Sequence, residues 1–165
     1  MERHMEANFE HILKEILLEL KDKNRKITLK DEQRTAMKQL YGKKDLAAVL
    51  PTGFGKSLIV QLLILLENRN RNGHSQTVSV LVICPLTSII NDQIMEVESM
   101  GLSACNFSEK LADLTDVEGG KYHIVYSSEE SALDKRFLQS LKKCFHDEPL
   151  LVWSMNHSRL KHGRL

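Results

Sequence analysis

The residues best suited to chemistry fall in one run, Pro51-Thr52-Gly53-Phe54-Gly55-Lys56-Ser57, between an apolar stretch ending at Leu50 and the apolar run Leu58-Ile59-Val60. A strand that turns sharply into a helix through two glycines can cradle phosphate. Gly53 and Gly55 let the backbone turn and approach a ligand closely. Successive N–H groups then form a nest for anionic oxygens, and the helix adds its positive end. Lys56 is the catalytic candidate, because its ammonium can reach β- and γ-phosphates, and the Ser57 hydroxyl suits Mg²⁺. Thr52, Gly53, Phe54 and Gly55 complete the nucleotide-holding set. The run departs from the strict G-x-x-x-x-G-K-[ST] pattern, since Leu50 stands where the first glycine would be.

Three further segments carry polar candidates. Leu29-Lys30-Asp31-Glu32-Gln33 lies upstream of the loop, and the Gln33 amide can donate and accept at once. Residues 82–93 read Val-Ile-Cys-Pro-Leu-Thr-Ser-Ile-Ile-Asn-Asp-Gln. There Thr87 and Ser88 offer N–H and O–H donors at a helix start, groups suited to a nucleic-acid phosphate. Residues 124–130 read Ile-Val-Tyr-Ser-Ser-Glu-Glu, where Ser127 and Ser128 are donors and a plain helix N-cap explains Ser128 almost as well.

Together these segments resemble RecQ-type DNA helicases of superfamily two. The form Thr52-Gly53-x-Gly55-Lys56-Ser57 is the one seen in that superfamily. The first segment is similar to the adenine motif F-R-x-x-Q, with Leu29 and Lys30 in place of the aromatic residue and Arg. The second closely resembles motif Ia, S-P-L-x-S-L-x-x-D-Q, matching at Pro85, Leu86, Ser88, Asp92 and Gln93. The third resembles motif Ib, Y-x-x-P-E, matching at Tyr126 and Glu129 with Ser128 in place of Pro. The likeness covers about residues 27–152. It implies the first RecA-like motor domain of a helicase that unwinds DNA 3′ to 5′, with ATP and Mg²⁺ as cofactors. It further implies Gln33 and Lys30 at the adenine. Pro85, Leu86, Thr87, Ser88, Asp92, Gln93, Ser127 and Ser128 would lie along a DNA strand or junction. The expected location is nuclear in a eukaryote and cytoplasmic otherwise.

Positioning such groups requires alternating strands and helices. Phe9, Ile12, Leu13, Ile16, Leu17 and Leu20 recur at helical spacing and predict an amphipathic helix that packs on the domain behind it. Helices are expected over 29–40, 57–66, 87–100 and 129–144. Strands are expected over 45–50, 78–84, 103–107, 122–126 and 150–153. Residues 68–76 and 108–121 read as polar connections, broken by Gly73 and by Gly119-Gly120. The alternation predicts an α/β fold: a RecA-like P-loop domain with a parallel sheet flanked by helices, incomplete. The division is an N-terminal helix and charged connector over 1–26, the ATP-binding domain over 27–152, and a tail over 153–165.

Composition bounds the remaining readings. A chain of 165 residues, 42% hydrophobic and 27% charged, suits one ordinary domain. Lys+Arg of 23 against Asp+Glu of 22 leaves no global basic field, though a local basic groove is compatible with it. Cys84, Cys105 and Cys144 are scattered, so neither a zinc site nor a disulfide scaffold is expected, and a reduced compartment fits. The charges within 1–20 exclude a signal peptide or membrane span there.

One part of the machine is missing. ATP hydrolysis needs an acid pair at the end of a strand beside the phosphate loop. Asp147-Glu148 precedes the strand at 150–152, at the wrong edge of a parallel sheet, and no acid follows it. Shifted by one nucleotide, the codons from Val152 to His157 can read Val-Asp-Glu-Ser. The tail is therefore read as an out-of-frame motif II, from a gene-prediction error, a splice variant or a decayed gene. The chain alone is expected to bind ATP weakly, without hydrolysis or unwinding. The rival readings are another superfamily-two motor, such as a DEAD-box RNA helicase, and a non-catalytic nucleotide-binding short isoform. DEAD-box proteins show a P-T-R-E-L type segment where this chain has Pro85-Leu86-Thr87-Ser88. A P-loop kinase or GTPase is disfavoured, since neither a lid Arg cluster nor N-K-x-D is present.

Overall fold

A computed structural model describes residues 2–44, 46–47, 53–71, 78–107, 114–145, 150–154 and 159–163. Its helices are α1 (Glu2–Asp22), α2 (Asp31–Tyr41), α3 (Lys56–Asn70), α4 (Ile90–Glu98), α5 (Leu114–Glu118), α6 (Glu129–Ala132) and α7 (Lys135–Phe145). Its strands are β1 (Leu46–Ala47), β2 (Val80–Cys84), β3 (Ala104–Asn106), β4 (Ile124–Ser128), β5 (Leu150–Ser154) and β6 (Arg159–Gly163). They form one sheet in the order β1-β6-β5-β2-β4-β3.

The strands β3, β4, β2 and β5 are parallel neighbours. Covered on both faces, such strands read as near-continuous apolar runs, as Val80-Leu81-Val82-Ile83-Cys84 does. The pleat divides them. Val80, Val82, Cys84, Ile124 and Tyr126 point into a core shared with α1, α2, α3 and α4. Leu81 and Val125 point to the other face, where Cys105, Val117, Ala132 and Phe137 meet them. There the Phe107 and Phe137 rings stack with centroids 3.9 Å apart. Desolvation raises the Cys84 thiol pKa to about 11, and desolvation together with nearby Asp116 raises that of Cys105 to about 12. Both therefore sit as small apolar groups rather than reactive thiolates.

The helix α1 belongs to the larger core. Phe9, Leu13, Ile16 and Leu20 are buried against α2 and α3. Ion pairs rim that contact: Glu6 with Lys38, Glu10 with Arg34, and Glu19 with Arg69 at 2.7 Å. Exposed pairs contribute little, so apolar burial holds the helix. The α3 helix is apolar on nearly every side, as a helix enclosed by neighbours must be.

Several boundaries differ from expectation for local reasons. The second helix begins at Asp31, because Lys30 is its extended N-cap. The helix expected over 129–144 is two. Asp134 Oδ1 accepts the N–H groups of Arg136 (2.8 Å) and Phe137 (3.2 Å), so a new cap starts α7. The helix expected from 87 opens with a 3₁₀ turn over Thr87–Ile89 and becomes α-helical only at Ile90. The polar connection contains α5. The largest difference is β6. Arg159–Gly163 turns back antiparallel to β5 and on its other side pairs with β1, Leu46 opposite Leu160.

At the N-terminal edge, β3 and β4 are pinned by a polar cross-link. The Ser103 N–H donates to His123 Nδ1 (3.0 Å), and the Ser103 hydroxyl donates to the Lys121 carbonyl (3.0 Å). Nδ1 must stay unprotonated to accept, and burial lowers the His123 pKa from the usual 6.5. A depressed histidine contributes stability that is complete above the unfolded pKa and lost as pH falls through the lowered folded value. Denaturant titrations at pH 7.5 and below 6 should therefore show a smaller acid-induced loss in His123→Gln than in the parent chain. In the same assay Phe9→Ala should cost about 3–5 kcal/mol. Leu18→Ala, on the exposed side of α1, should stay within about 0.5 kcal/mol.

Candidate nucleotide and nucleic-acid site

The phosphate loop follows β1, and both β1 and β5 run antiparallel to β6. The strand β1 therefore points the same way as β5, β2 and β4, and its loop leaves from their C-terminal edge. Ligands of parallel α/β sheets bind outside that edge. Gly53 and Gly55 have φ of +78° and +77°, in the left-handed region where a side chain strains the backbone. Gly55 is the N-cap of α3, which begins at Lys56, one residue earlier than expected. No side chain caps this end and no acid lies in the first turn. The helix's positive end therefore faces the loop, and no carboxylate of that turn repels an anion. Lys56 and Ser57 are half-buried in the same turn. This geometry fits a phosphate. Thr52 lies outside the described residues.

The glutamine picked out by sequence sits against this loop. Gln33 is 3% exposed. Its Nε2 donates to the carbonyls of Phe54 (2.8 Å) and Gly55 (3.3 Å), and its Oε1 accepts the Lys30 N–H (2.9 Å). Both amide hydrogens are committed, so contact with an adenine edge would require exchanging at least one of these bonds. Lys30 Nζ stands 3.9 Å from the Phe54 ring centroid, a cation–π contact across the same junction. Two residues from the first segment and two from the loop therefore form one unit.

The second and third segments meet at the same edge. Cys84 pairs opposite Ser128, so Pro85 leaves the sheet beside the start of α6. Pro85, Leu86, Thr87 and Ser88 are exposed, Leu86 by 60%. Neither Thr87 nor Ser88 caps a helix through its side chain, since the 3₁₀ turn has Leu86 as its N-cap and no side-chain cap bond. Asp92 is exposed in the first turn of α4. Gln93 is half-buried, its Oε1 enclosed without a partner. The two serines differ from the surface role given them. Ser127 is fully buried, its hydroxyl donating to the Ser128 carbonyl (3.1 Å), because its place in β4 turns it inward. Ser128 Oγ accepts the Ser131 N–H (3.1 Å) and is the N-cap of α6. A surface that includes the Pro85–Ser88 turn would thus receive the α6 end, rather than the Ser127 hydroxyl.

No group of three or more His, Cys, Asp or Glu among the described residues could hold a metal. Asp147 and Glu148 lie outside the described residues; β5 begins at Leu150, at the sheet edge opposite Pro85. Of the Mg²⁺ ligands expected by resemblance, only Ser57 has a place beside the loop.

Gly55 and Gly101 separate backbone strain from crowding. A Cβ at Gly55 would lie 2.6 Å from Gln33 Nε2, whereas one at Gly101, with φ +81°, would meet nothing within 4 Å. Gly101→Ala should cost only the left-handed strain, about 1–2 kcal/mol. Gly55→Ala should cost more by equilibrium denaturation, and adding Gln33→Ala should recover part of the excess.

The sequence matches the DEAD/DEAH box helicase family over residues 30–152. It is 33% identical over 112 residues to the ATP-dependent DNA helicase Q1 of Rattus norvegicus, covering 62% of this chain and 17% of that one. Against the ATP-dependent DNA helicase Q-like SIM of Arabidopsis thaliana it is 30% identical, covering 79% and 14%. A protein of Acanthamoeba polyphaga mimivirus, provisionally named an ATP-dependent RNA helicase, is 31% identical over 54% of this chain and 16% of its own length. The chain spans about a fifth or less of the length of curated relatives it matches. With its phosphate loop, its glutamine and its exposed Pro85–Ser88 turn at one sheet edge, the chain belongs to the DEAD/DEAH box helicase family, where its likeness is to RecQ-like DNA helicases.

Proposed function

We propose that the chain is the ATP-binding lobe of a RecQ-like helicase that couples ATP hydrolysis to 3′–5′ DNA unwinding, and that by itself it is a nucleotide binder without turnover. The observation that carries this reading is the junction of Gln33 with the Phe54 and Gly55 carbonyls. It ties an adenine-side residue to the phosphate loop, as a site for a whole nucleoside triphosphate requires. The acid-free first turn of α3 would take the phosphates, with Lys56 compensating their charge and Ser57 offering one oxygen to Mg²⁺. Bound ATP would supply the free energy for movement along the strand. The turn at Pro85–Ser88 would hold a strand's backbone through N–H and hydroxyl donors, contacts that position a nucleic acid without reading its sequence.

Hydrolysis needs a carboxylate to orient water and hold the metal. No Asp or Glu follows Glu148 in the sequence. A fluorescent ATP analogue should bind the purified chain weakly, and Lys56→Ala should weaken it about tenfold further, an ordinary loss for a charge-assisted phosphate contact. DNA-stimulated phosphate release should stay at the buffer rate, and measurable turnover would refute the inactive reading.

An RNA-directed motor is the second reading, favoured by the likeness to the viral protein. The Pro85-Leu86-x-Ser88…Asp92-Gln93 spacing supports DNA over it. Anisotropy with matched single-stranded DNA and RNA should show DNA binding that Ser88→Glu weakens. A preference for RNA would favour the rival.

A further inference from the structure

The outer side of α1 carries a feature that the nucleotide site does not use. Between α1 and the segment leading into α2 lies a groove of about 460 Å³. Its floor is apolar: Leu13, Leu17, Leu18 and Ile27. Leu18 is 52% exposed, one of few large apolar side chains so open among the described residues. The groove lies mostly outside the family match, which begins at residue 30.

The rim is cationic for a structural reason. Four glutamates of α1 are engaged by cations of α2 and α3: Glu6 by Lys38, Glu10 by Arg34, Glu15 and Glu19 by Arg69. The side chains of Lys14, Lys21 and Lys26 line the groove and, among the described residues, make no ion pair or hydrogen bond. Folding thus commits four of α1's acids to ion pairs, the Glu10–Arg34 pair at the groove's edge among them, and leaves three lysine side chains without an ion pair around an apolar trough, with exposed Asp22 the nearest acid in α1.

We propose that this groove docks an acidic amphipathic helix of a protein partner. Its apolar side chains at i, i+3, i+4 and i+7 would lie on Leu17, Leu18 and Ile27, with buried Leu13 beneath them. Its flanking carboxylates would meet Lys14, Lys21 and Lys26. Helix-in-groove recognition uses this combination, and charge complementarity fixes the register. A nucleic acid would satisfy the lysines but leave the leucines wet, and a bilayer surface does not enter a trough.

The probe is a fluorescein-labelled synthetic helix of Glu, Asp, Leu and Phe with that spacing, titrated into the full chain. Binding should weaken with added salt. Leu18→Asp, and Lys21→Glu combined with Lys26→Glu, should each lower affinity about tenfold or more, while Lys135→Glu on α7 should leave it unchanged. All these positions are exposed, and circular dichroism checks that the variants remain folded. Amide shift changes in the unaltered chain should centre on residues 13–27. Equal binding by the groove variants, or shift changes elsewhere, would overturn the proposal. So would tighter groove-dependent binding of phosphatidylserine vesicles or of a single-stranded oligonucleotide than of the peptide.

Discussion

The residues Val80 to Cys84 hydrogen-bond on one side to Ile124–Ser128 and on the other to the strand that begins at Leu150, all three running the same way. That parallel ladder constrains everything else. Parallel neighbours cannot be joined by tight turns, so each connection must cross a face of the sheet, and the helices that do so must be apolar toward it. The same polarity gathers every strand-to-helix turn at one edge. The Pro85–Ser88 turn, the α6 cap and the phosphate loop share a side because their strands share a direction. That the turns carrying Lys56 and Ser88 share an edge is thus a by-product of strand polarity.

Gln33 ties the second level of organisation to the first. It is buried, it sits in the first turn of α2, and its amide reaches the loop at two carbonyls. Satisfying them from a neighbouring helix fixes the loop without adding a charge that would compete with an incoming phosphate. The absence of any acid in the first turn of α3 has the same effect. Both leave the site anion-ready, and both are cheap in sequence: one amide, two glycines and no carboxylate.

Much of this was legible in the chain. The period of Phe9, Leu13, Ile16 and Leu20 foretold α1 and its buried face, and the apolar run at 80–84 foretold a strand covered on both sides. The pairing of Gly53 and Gly55 with Lys56 and Ser57 marked the loop. What was not legible depended on geometry beyond local pattern. Ser127 looks like a surface donor until the pleat of β4 turns it inward. Asp134 hides a helix boundary because a cap is one residue with one geometry, not a composition. The strand at 159–163 reads Arg-Leu-Lys-His-Gly, with a single large apolar residue. It is a strand because two neighbours offer it hydrogen bonds, a fact that no window of sequence around it contains.

That strand has a consequence for how the molecule comes together. Among the described strands β1 pairs with β6 alone, so the segment that leads into the phosphate loop joins the sheet through residues 159–163. The pairing of Leu46 with Leu160 closes a long loop, and non-local closures are slow. During synthesis the helices α1, α2 and α3 can assemble early, while the strand between them waits for its partner. The segment that leads into the phosphate loop would thus enter the sheet only after residues 159–163 have been made, a delay set by topology rather than by local stability.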